Sequence, residues 1–157
     1  MPSKDEFPHP QVRIALRKLF EEDIVFNQML GIKVVSFNPV RPRVRFDMRP
    51  ELIGHPVRKV LHGGVIAAVL DATAGFAIML ALAKKHENDP DEVQLGHFRH
   101  MSTIDLRIDY IRPGRGAHFI ALGHVFRVGG KVASVRMELE NDSGEIIAAG
   151  SAAFMVG

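Results

Sequence analysis

The chain contains no cysteine, no tryptophan and a single tyrosine among its 157 residues. The absence of cysteine excludes disulfide bonds, a thiolate nucleophile and a metal centre with cysteine ligands. The opening residues, 1–10, are polar and have no apolar run, so we expect no secretory signal peptide. These features are typical of proteins from a reducing compartment, and we expect a cytoplasmic location.

Clusters of charge of one sign are also missing. Lys and Arg number 20 and Asp and Glu 18, and the basic residues are scattered among the acidic ones along the whole chain. Nucleic-acid binding usually requires a clustered basic stripe, so we expect no nucleic-acid partner. The apolar share of 46% and charged share of 24% are typical of a globular protein, and the length predicts one domain over residues 1–157.

Two helical segments are predicted before the first strand. The first has one apolar face with helical spacing, formed by Val12, Ala15, Leu16, Leu19 and Phe20. The second, over about residues 24–30, should stop at Gly31, because glycine adopts the left-handed conformation that ends many helices. We therefore expect a helical N-terminal extension over about residues 10–30.

Six segments have the composition and alternation of β-strands. They are residues 32–37, 44–48, 103–110, 120–128, 133–139 and 146–156. We expect the first two to pair as a hairpin and the last four to form an antiparallel meander. The polar segment 86–100 is predicted to be a surface loop.

The segment from Val65 to Ala83 is apolar on every side and contains one charged residue, Asp71. A helix of this kind must be surrounded by lipid or by protein. Its many alanines, its internal carboxylate and the basic residues at both ends argue against a membrane span. We predict an α+β fold in which an antiparallel sheet of five to six strands wraps around this long central helix.

Asp71 is a candidate site residue because burying a carboxylate is costly unless it is hydrogen-bonded or protonated. The alternative is a structural Asp bonded to a neighbouring hydroxyl or backbone group. His62, Gly63 and Gly64 directly precede the helix, whose first turn has backbone N–H groups without partners. Such a terminus can stabilise an oxyanion during acyl transfer, although a glycine pair there is also common in plain tight turns.

The sequence Leu61-His62-Gly63-Gly64-Val65, followed by Asp71 and Gly75, resembles the signature of PaaI-type hotdog thioesterases. Other segments, in the same order, are similar to the YigI group of that superfamily: Gly31-Ile32, residues 103–107, Asp109-Tyr110, residues 112–116, residues 131–133 and the terminal residues 154–157. The resemblance extends from about Phe26 to the C-terminus. It implies the hotdog fold, which is the sheet-wrapped helix described above.

The resemblance also implies an activity: hydrolysis of medium- or long-chain acyl-CoA to a free fatty acid and CoA. Carried over by position, Asp71 would be the general base or nucleophile, and the Gly63 N–H would hold the thioester oxygen. Thr103 would help to position the attacking water. The remaining catalytic candidates are His62, from the same motif, and His55, which stands where many relatives have Asn.

CoA carries phosphates, so cations are expected near the mouth of the site. Arg112, Arg115, Arg127 and Lys131 lie at predicted strand ends and turns, and with the Gly64 backbone they are the substrate-binding candidates. A solvated surface charge is the alternative interpretation for each cation. We expect no cofactor and no metal, because the histidines at 86, 97 and 100 are scattered through the predicted loop without typical ligand spacing.

Gly63 and Asp71 are eight residues apart, which is about 12 Å along a helix. An oxyanion donor and a base that acts through one water cannot serve one thioester across that distance. If both act, they come from different chains, so we predict a homodimer with antiparallel central helices and shared sites. Pairing of two dimers into a tetramer stays open, as does the acyl length, which depends on bulky residues such as Phe76 and Met79.

Other functions remain open at this point. The same cavity could belong to a non-catalytic acyl-CoA-binding module, to an aromatic acyl-CoA thioesterase or to a hotdog dehydratase that acts on acyl carrier protein. The carboxylate at Asp71 favours a hydrolase over a binding module. A dehydratase usually relies on a catalytic His with an acidic partner.

Overall fold

The N-terminal segment is helical in the computed structural model, which describes residues 6–157. What the sequence predicted for residues 1–5 lies outside the described residues. Helix α1 (Pro10–Lys18) continues into a π-helical turn over Leu19–Asp23, and helix α2 (Val25–Leu30) follows. Gly31 ends α2 with a φ of 72°, as predicted. The apolar face of α1 is confirmed, since Val12, Leu16 and Phe20 are buried.

A six-stranded antiparallel sheet has the strand order β1-β2-β6-β7-β8-β5, and a separate β3–β4 hairpin precedes the central helix. The strands are β1 (Lys33–Ser36), β2 (Arg43–Asp47), β3 (Ile53–His55), β4 (Val60–Leu61), β5 (Ser102–Tyr110), β6 (His118–Val128), β7 (Val132–Asn141) and β8 (Ile146–Met155). The predicted β1–β2 hairpin is confirmed. The predicted four-strand meander is wrong, because β5 pairs with β8 and not with β6. Alternation along a strand indicates which face is buried and carries no information about the neighbouring strand.

The central helix α3 spans Gly63–Lys85 and packs against β5, β6, β7 and β8. It is long and apolar enough to cross a bilayer, but 61% of its most apolar window is buried within the protein. Small residues let the sheet approach closely: a Cβ added at Gly123 of β6 would lie 2.7 Å from the Cβ of Ala77. The predicted fold, an antiparallel sheet around one long helix, is therefore confirmed.

The segment after α3 is largely helical and not the predicted loop. Helix α4 (Asp91–Gly96) is followed by a 3₁₀ turn over His97–His100. Two acidic residues in the first turn of α4 favour the helix through its dipole. Gln94 is fully buried and α4 packs against α1, so tertiary contacts stabilise this segment. Its polar composition gave no indication of a helix.

Candidate active site

Asp71 lies on α3 beside the edge strand β5. The Thr103 hydroxyl donates a hydrogen bond of 2.9 Å to Asp71 Oδ1. These two predicted site residues, far apart in sequence, are therefore in contact within one chain. The carboxylate is only half-buried in the single chain, and Thr103 is exposed.

The carboxylate of Asp71 lies at the wall of an apolar cavity of about 230 Å³ between α3 and the N-terminal helices. Six bulky apolar side chains line it: Phe20, Ile24, Phe26, Phe76, Met79 and Phe154. Phe76 and Met79 are the residues that, according to the sequence, would influence the length of the acyl chain. The cavity places one charged group among surfaces that suit an alkyl chain.

The N-terminus of α3 is capped by a side chain. His62 Nδ1 accepts the Gly64 N–H at 2.8 Å, and the His62 carbonyl accepts the N–H groups of Val65 and Ile66. The Gly63 N–H has no hydrogen bond to any residue between 6 and 157. Among the first-turn donors, only the Gly63 N–H is therefore left for a ligand within the described residues. The Gly64 N–H could bind substrate, as predicted, only if its hydrogen bond to His62 were broken.

Tyr110 is a further candidate residue; the sequence placed it in a segment similar to the family but gave it no role in the site. Its hydroxyl donates to the Gly63 carbonyl at 3.1 Å, so the last residue of β5 holds the start of α3. The available signal was its position as the one tyrosine, at the end of an amphipathic strand. Tyr110 and Gly63 also line a cavity of about 330 Å³, together with Arg58 and Arg112.

Two of the predicted cations belong to this end of the sheet. The Arg112 side chain donates to the Ile146 carbonyl at 2.9 Å, and the Arg115 side chain donates to the Arg58 carbonyl at 3.0 Å. Arg58 itself was not predicted, although it lies two residues before β4. All three guanidinium groups belong to exposed residues, so they remain accessible to an anionic ligand.

His55 occupies the hairpin that leads into α3. It lies on β3, is exposed, and its Nδ1 accepts the Arg58 N–H at 3.1 Å. The imidazole thus shapes the turn that carries Arg58. In the single chain it has no hydrogen bond to the other predicted site residues.

A larger cavity, of about 660 Å³, lies on the other side of the α3 N-terminus. Its lining includes His62, Gly64, Phe26, Met29 and Arg49. The Nε of Arg49 is buried and has no hydrogen-bond partner in the described part of the chain. Because buried donors are normally paired, this arginine is a further candidate for ligand contact, and no sequence motif indicated it.

Arg127 and Lys131 lie at the opposite end of the sheet from Gly63. Val132 is aligned with Met155, and Met155 with Ser102, so the β6–β7 turn is at the Thr103 end of β5. The predicted site residues therefore fall into two groups, which we call half-sites because the prediction assigns them to one shared site. One contains Asp71 and Thr103 and the other contains Gly63, and the helix separates them by about 12 Å.

Comparisons with known proteins identify the family of the chain. The family model described as "Thioesterase superfamily" matches residues 58–148. The "Medium/long-chain acyl-CoA thioesterase YigI" of Salmonella typhimurium is 36% identical over 140 residues, covering 89% of this chain and 90% of the relative.

Two solved structures are similar over almost the whole chain. A protein related to the thioesterase superfamily from Shewanella oneidensis has a TM-score of 0.87 at 36% identity, covering 95% of this chain and 99% of that one. A thioesterase-like structure from Syntrophus aciditrophicus has a TM-score of 0.82 at 39% identity, covering 94% and 97%. The predicted resemblance is confirmed, and the chain belongs to the thioesterase superfamily.

Proposed function

We propose that this protein hydrolyses medium- and long-chain acyl-CoA to a free fatty acid and CoA. The observation that carries the proposal is a carboxylate, Asp71, held by the Thr103 hydroxyl at the wall of an apolar cavity. The name of the Salmonella relative supports the same substrate class. Bulky cavity residues, Phe76 and Met79 among them, would limit the length of the acyl chain.

In the proposed reaction, Asp71 acts as the general base. It removes a proton from a water held beside Thr103, and the water oxygen forms a bond to the thioester carbonyl carbon. The carbonyl oxygen becomes an oxyanion that accepts the Gly63 N–H at the positive end of α3. When the intermediate collapses, the C–S bond breaks and the CoA thiolate takes up the proton carried by Asp71.

Two chains are required for this chemistry, because the base and the oxyanion donor of one chain are too far apart. The edge strand β5 supplies a surface for pairing, with Ile104 and Tyr110 more than half exposed. If β5 pairs antiparallel with its copy about Leu106, Asp105 of each chain faces Arg107 of the other, which is a favourable cross-strand pair. The same symmetry brings the Asp71 half-site of one chain towards the Gly63 half-site of the second.

This dimer would also gather the predicted cations. Two pairs of cations would lie on the same side of the thioester, where positive charge can bind the CoA phosphates. They are Arg112 and Arg115 of one chain and Arg127 and Lys131 of the other. A dimer is thus the smallest active assembly, and two dimers could pair further. We place this enzyme, one domain over residues 1–157 with an N-terminal helical extension, in the cytoplasm.

A thiol-release assay tests the proposed function. The purified protein is assayed with acyl-CoA substrates from butanoyl to stearoyl and with benzoyl-CoA. Medium and long acyl chains should give the highest kcat/KM. Asp71→Asn should lower kcat by roughly 10²- to 10⁴-fold, the usual contribution of a general base, with KM little changed.

The matched control is Asp47→Asn, which neutralises an exposed carboxylate on β2 and should leave kcat unchanged. Full turnover by Asp71→Asn would remove this carboxylate from the chemistry. Acyl-CoA binding without turnover by the wild type would indicate a binding module instead, and a preference for benzoyl-CoA would indicate an aromatic acyl-CoA thioesterase.

A further inference from the structure

A cluster of two imidazoles and a carboxylate lies at the C-terminal end of α3, away from both half-sites. His86 is the C-cap residue directly after α3, Asp89 lies in the following turn, and His97 begins the 3₁₀ turn after α4. One ligand atom from each side chain lies within 4.8 Å of the other two. The sequence predicted no metal because the histidines here lack typical ligand spacing. In the folded chain the three side chains nevertheless lie together, because α4 folds back over the end of α3.

An ordinary hydrogen bond accounts for two members of the cluster but not for the third. His86 Nδ1 lies 3.1 Å from Asp89 Oδ2. The His97 ring stacks on the His86 ring with centroids 4.0 Å apart, but His97 Nε2 is buried and has no hydrogen-bond partner in the part of the chain that the structure describes. A buried ring nitrogen without a partner is unfavourable, and a metal bond would satisfy it.

The donor set selects the kind of ion. Imidazole nitrogen suits Zn²⁺ and its first-row neighbours, whereas Mg²⁺ and Ca²⁺ prefer oxygen ligands. Two imidazoles and one carboxylate leave one position of a tetrahedral Zn²⁺ for water, and all three residues are partly accessible. A tetrahedral zinc ion holds its donor atoms about 3.3 Å apart, so binding must draw the ligands together and turn the imidazoles out of their stack.

We propose that His86, Asp89 and His97 bind one Zn²⁺ ion per chain, and that the ion fastens α4 to the end of α3. The site is structural, since it lies at the far end of the helix from Gly63. Gln94 supports it from α4: its side chain is fully buried and donates to the Asp89 carbonyl at 3.0 Å. The segment held by the ion connects α3, which carries Asp71, to β5, which carries Thr103.

The test uses the full chain after dialysis against a chelator. Zn²⁺ is titrated in competition with a chromophoric chelator, and Co²⁺ is added separately as a spectroscopic probe. We expect one Zn²⁺ per chain, visible absorption bands typical of tetrahedral Co²⁺, and a Tm that rises with Zn²⁺ but not with Mg²⁺, because an ion that binds the folded state stabilises it.

The double variant His86→Gln/His97→Gln should bind Zn²⁺ at least about 100-fold more weakly, since losing even a supporting hydrogen bond costs roughly 10- to 100-fold in metal affinity. The matched control is His100→Gln, which removes an exposed histidine from the same 3₁₀ turn and should keep the wild-type affinity. Wild-type protein without tetrahedral Co²⁺ bands would overturn the proposal. So would an equal loss of affinity in His100→Gln, which would indicate adventitious binding to surface histidines.

Discussion

At the scale of single residues, the contact between Thr103 and Asp71 decides what the carboxylate can do. A threonine hydroxyl has one proton and two lone pairs, and here the proton is given to Asp71 Oδ1. The lone pairs then remain free to accept a hydrogen bond from a water. Thr103 can therefore orient the carboxylate and the water together, which is the role that its position in the family implies.

Replacing this hydroxyl should slow the chemical step. Thr103→Val keeps the shape of the side chain but removes its donor, and a hydrogen bond to a charged group is worth about 1.5–3 kcal/mol, so kcat should fall roughly 10- to 100-fold. Thr103→Ser should retain most of the wild-type kcat. Steady-state kinetics on a long-chain acyl-CoA measure both, with exposed Ser102→Ala as the control on the same strand. A Thr103→Val enzyme with wild-type kcat would show that the hydroxyl has no part in the reaction.

At the scale of elements, the start of α3 is the most informative feature. In its first turn Gly64, Val65 and Ile66 donate to His62, and Gly63 donates to nothing among residues 6–157. A helix terminus with all but one N–H satisfied suits the proposed oxyanion contact, because a single donor at the positive end of the dipole is available. His62 acts in this arrangement through the helix that it caps.

The capping role predicts how His62 variants behave. His62→Ala removes the acceptor for Gly64 and should lower the free energy of unfolding by about 0.5–2 kcal/mol, whereas Asn, a good N-cap residue, should restore most of it. Urea unfolding of the wild type, His62→Ala and His62→Asn measures the difference. If His62→Ala kept full stability and lost turnover as severely as Asp71→Asn, the imidazole would have a direct chemical role instead.

At the scale of the whole molecule, the reaction proposed above requires a dimer, because the two half-sites of one chain are too far apart to act on one thioester. Gly63 is held by Tyr110 at one end of β5, and Asp71 by Thr103 at the other. Two copies of β5 paired antiparallel exchange these ends, so each site would take its base from one chain and its oxyanion donor from the other. This arrangement can be tested by combining two defective chains.

A mixed dimer should recover activity that neither parent has. Gly63→Pro deletes the free N–H at a position where helices accept proline, and His62 before it already has the extended conformation that a following proline requires, with a ψ of 134°.

Differently tagged Gly63→Pro and Asp71→Asn chains are co-expressed, and the heterodimer is purified through both tags. It contains one intact site and should reach about half of the wild-type turnover per dimer if the sites are independent. A verified heterodimer as inactive as its parents would refute shared sites.

The sequence by itself determined the parts of this protein that depend on local pattern. A helix without a polar face must be enclosed, so the environment of α3 followed from residues 65–83, and the end of α2 followed from Gly31. Composition and alternation located each strand of the large sheet. The motif around Gly63 and Asp71, together with several further segments in the same order, carried the resemblance to the family.

The tertiary structure decided which distant residues meet. It placed β5 beside β8, folded residues 91–100 into helical turns, brought Thr103 to Asp71 and gathered His86, Asp89 and His97. Local periodicity reports which face of an element is buried, whereas strand order and side-chain clusters depend on how the elements pack against one another. For that reason the sequence indicated the candidate reacting groups, Asp71 and Gly63, and the fold showed that they lie apart within one chain.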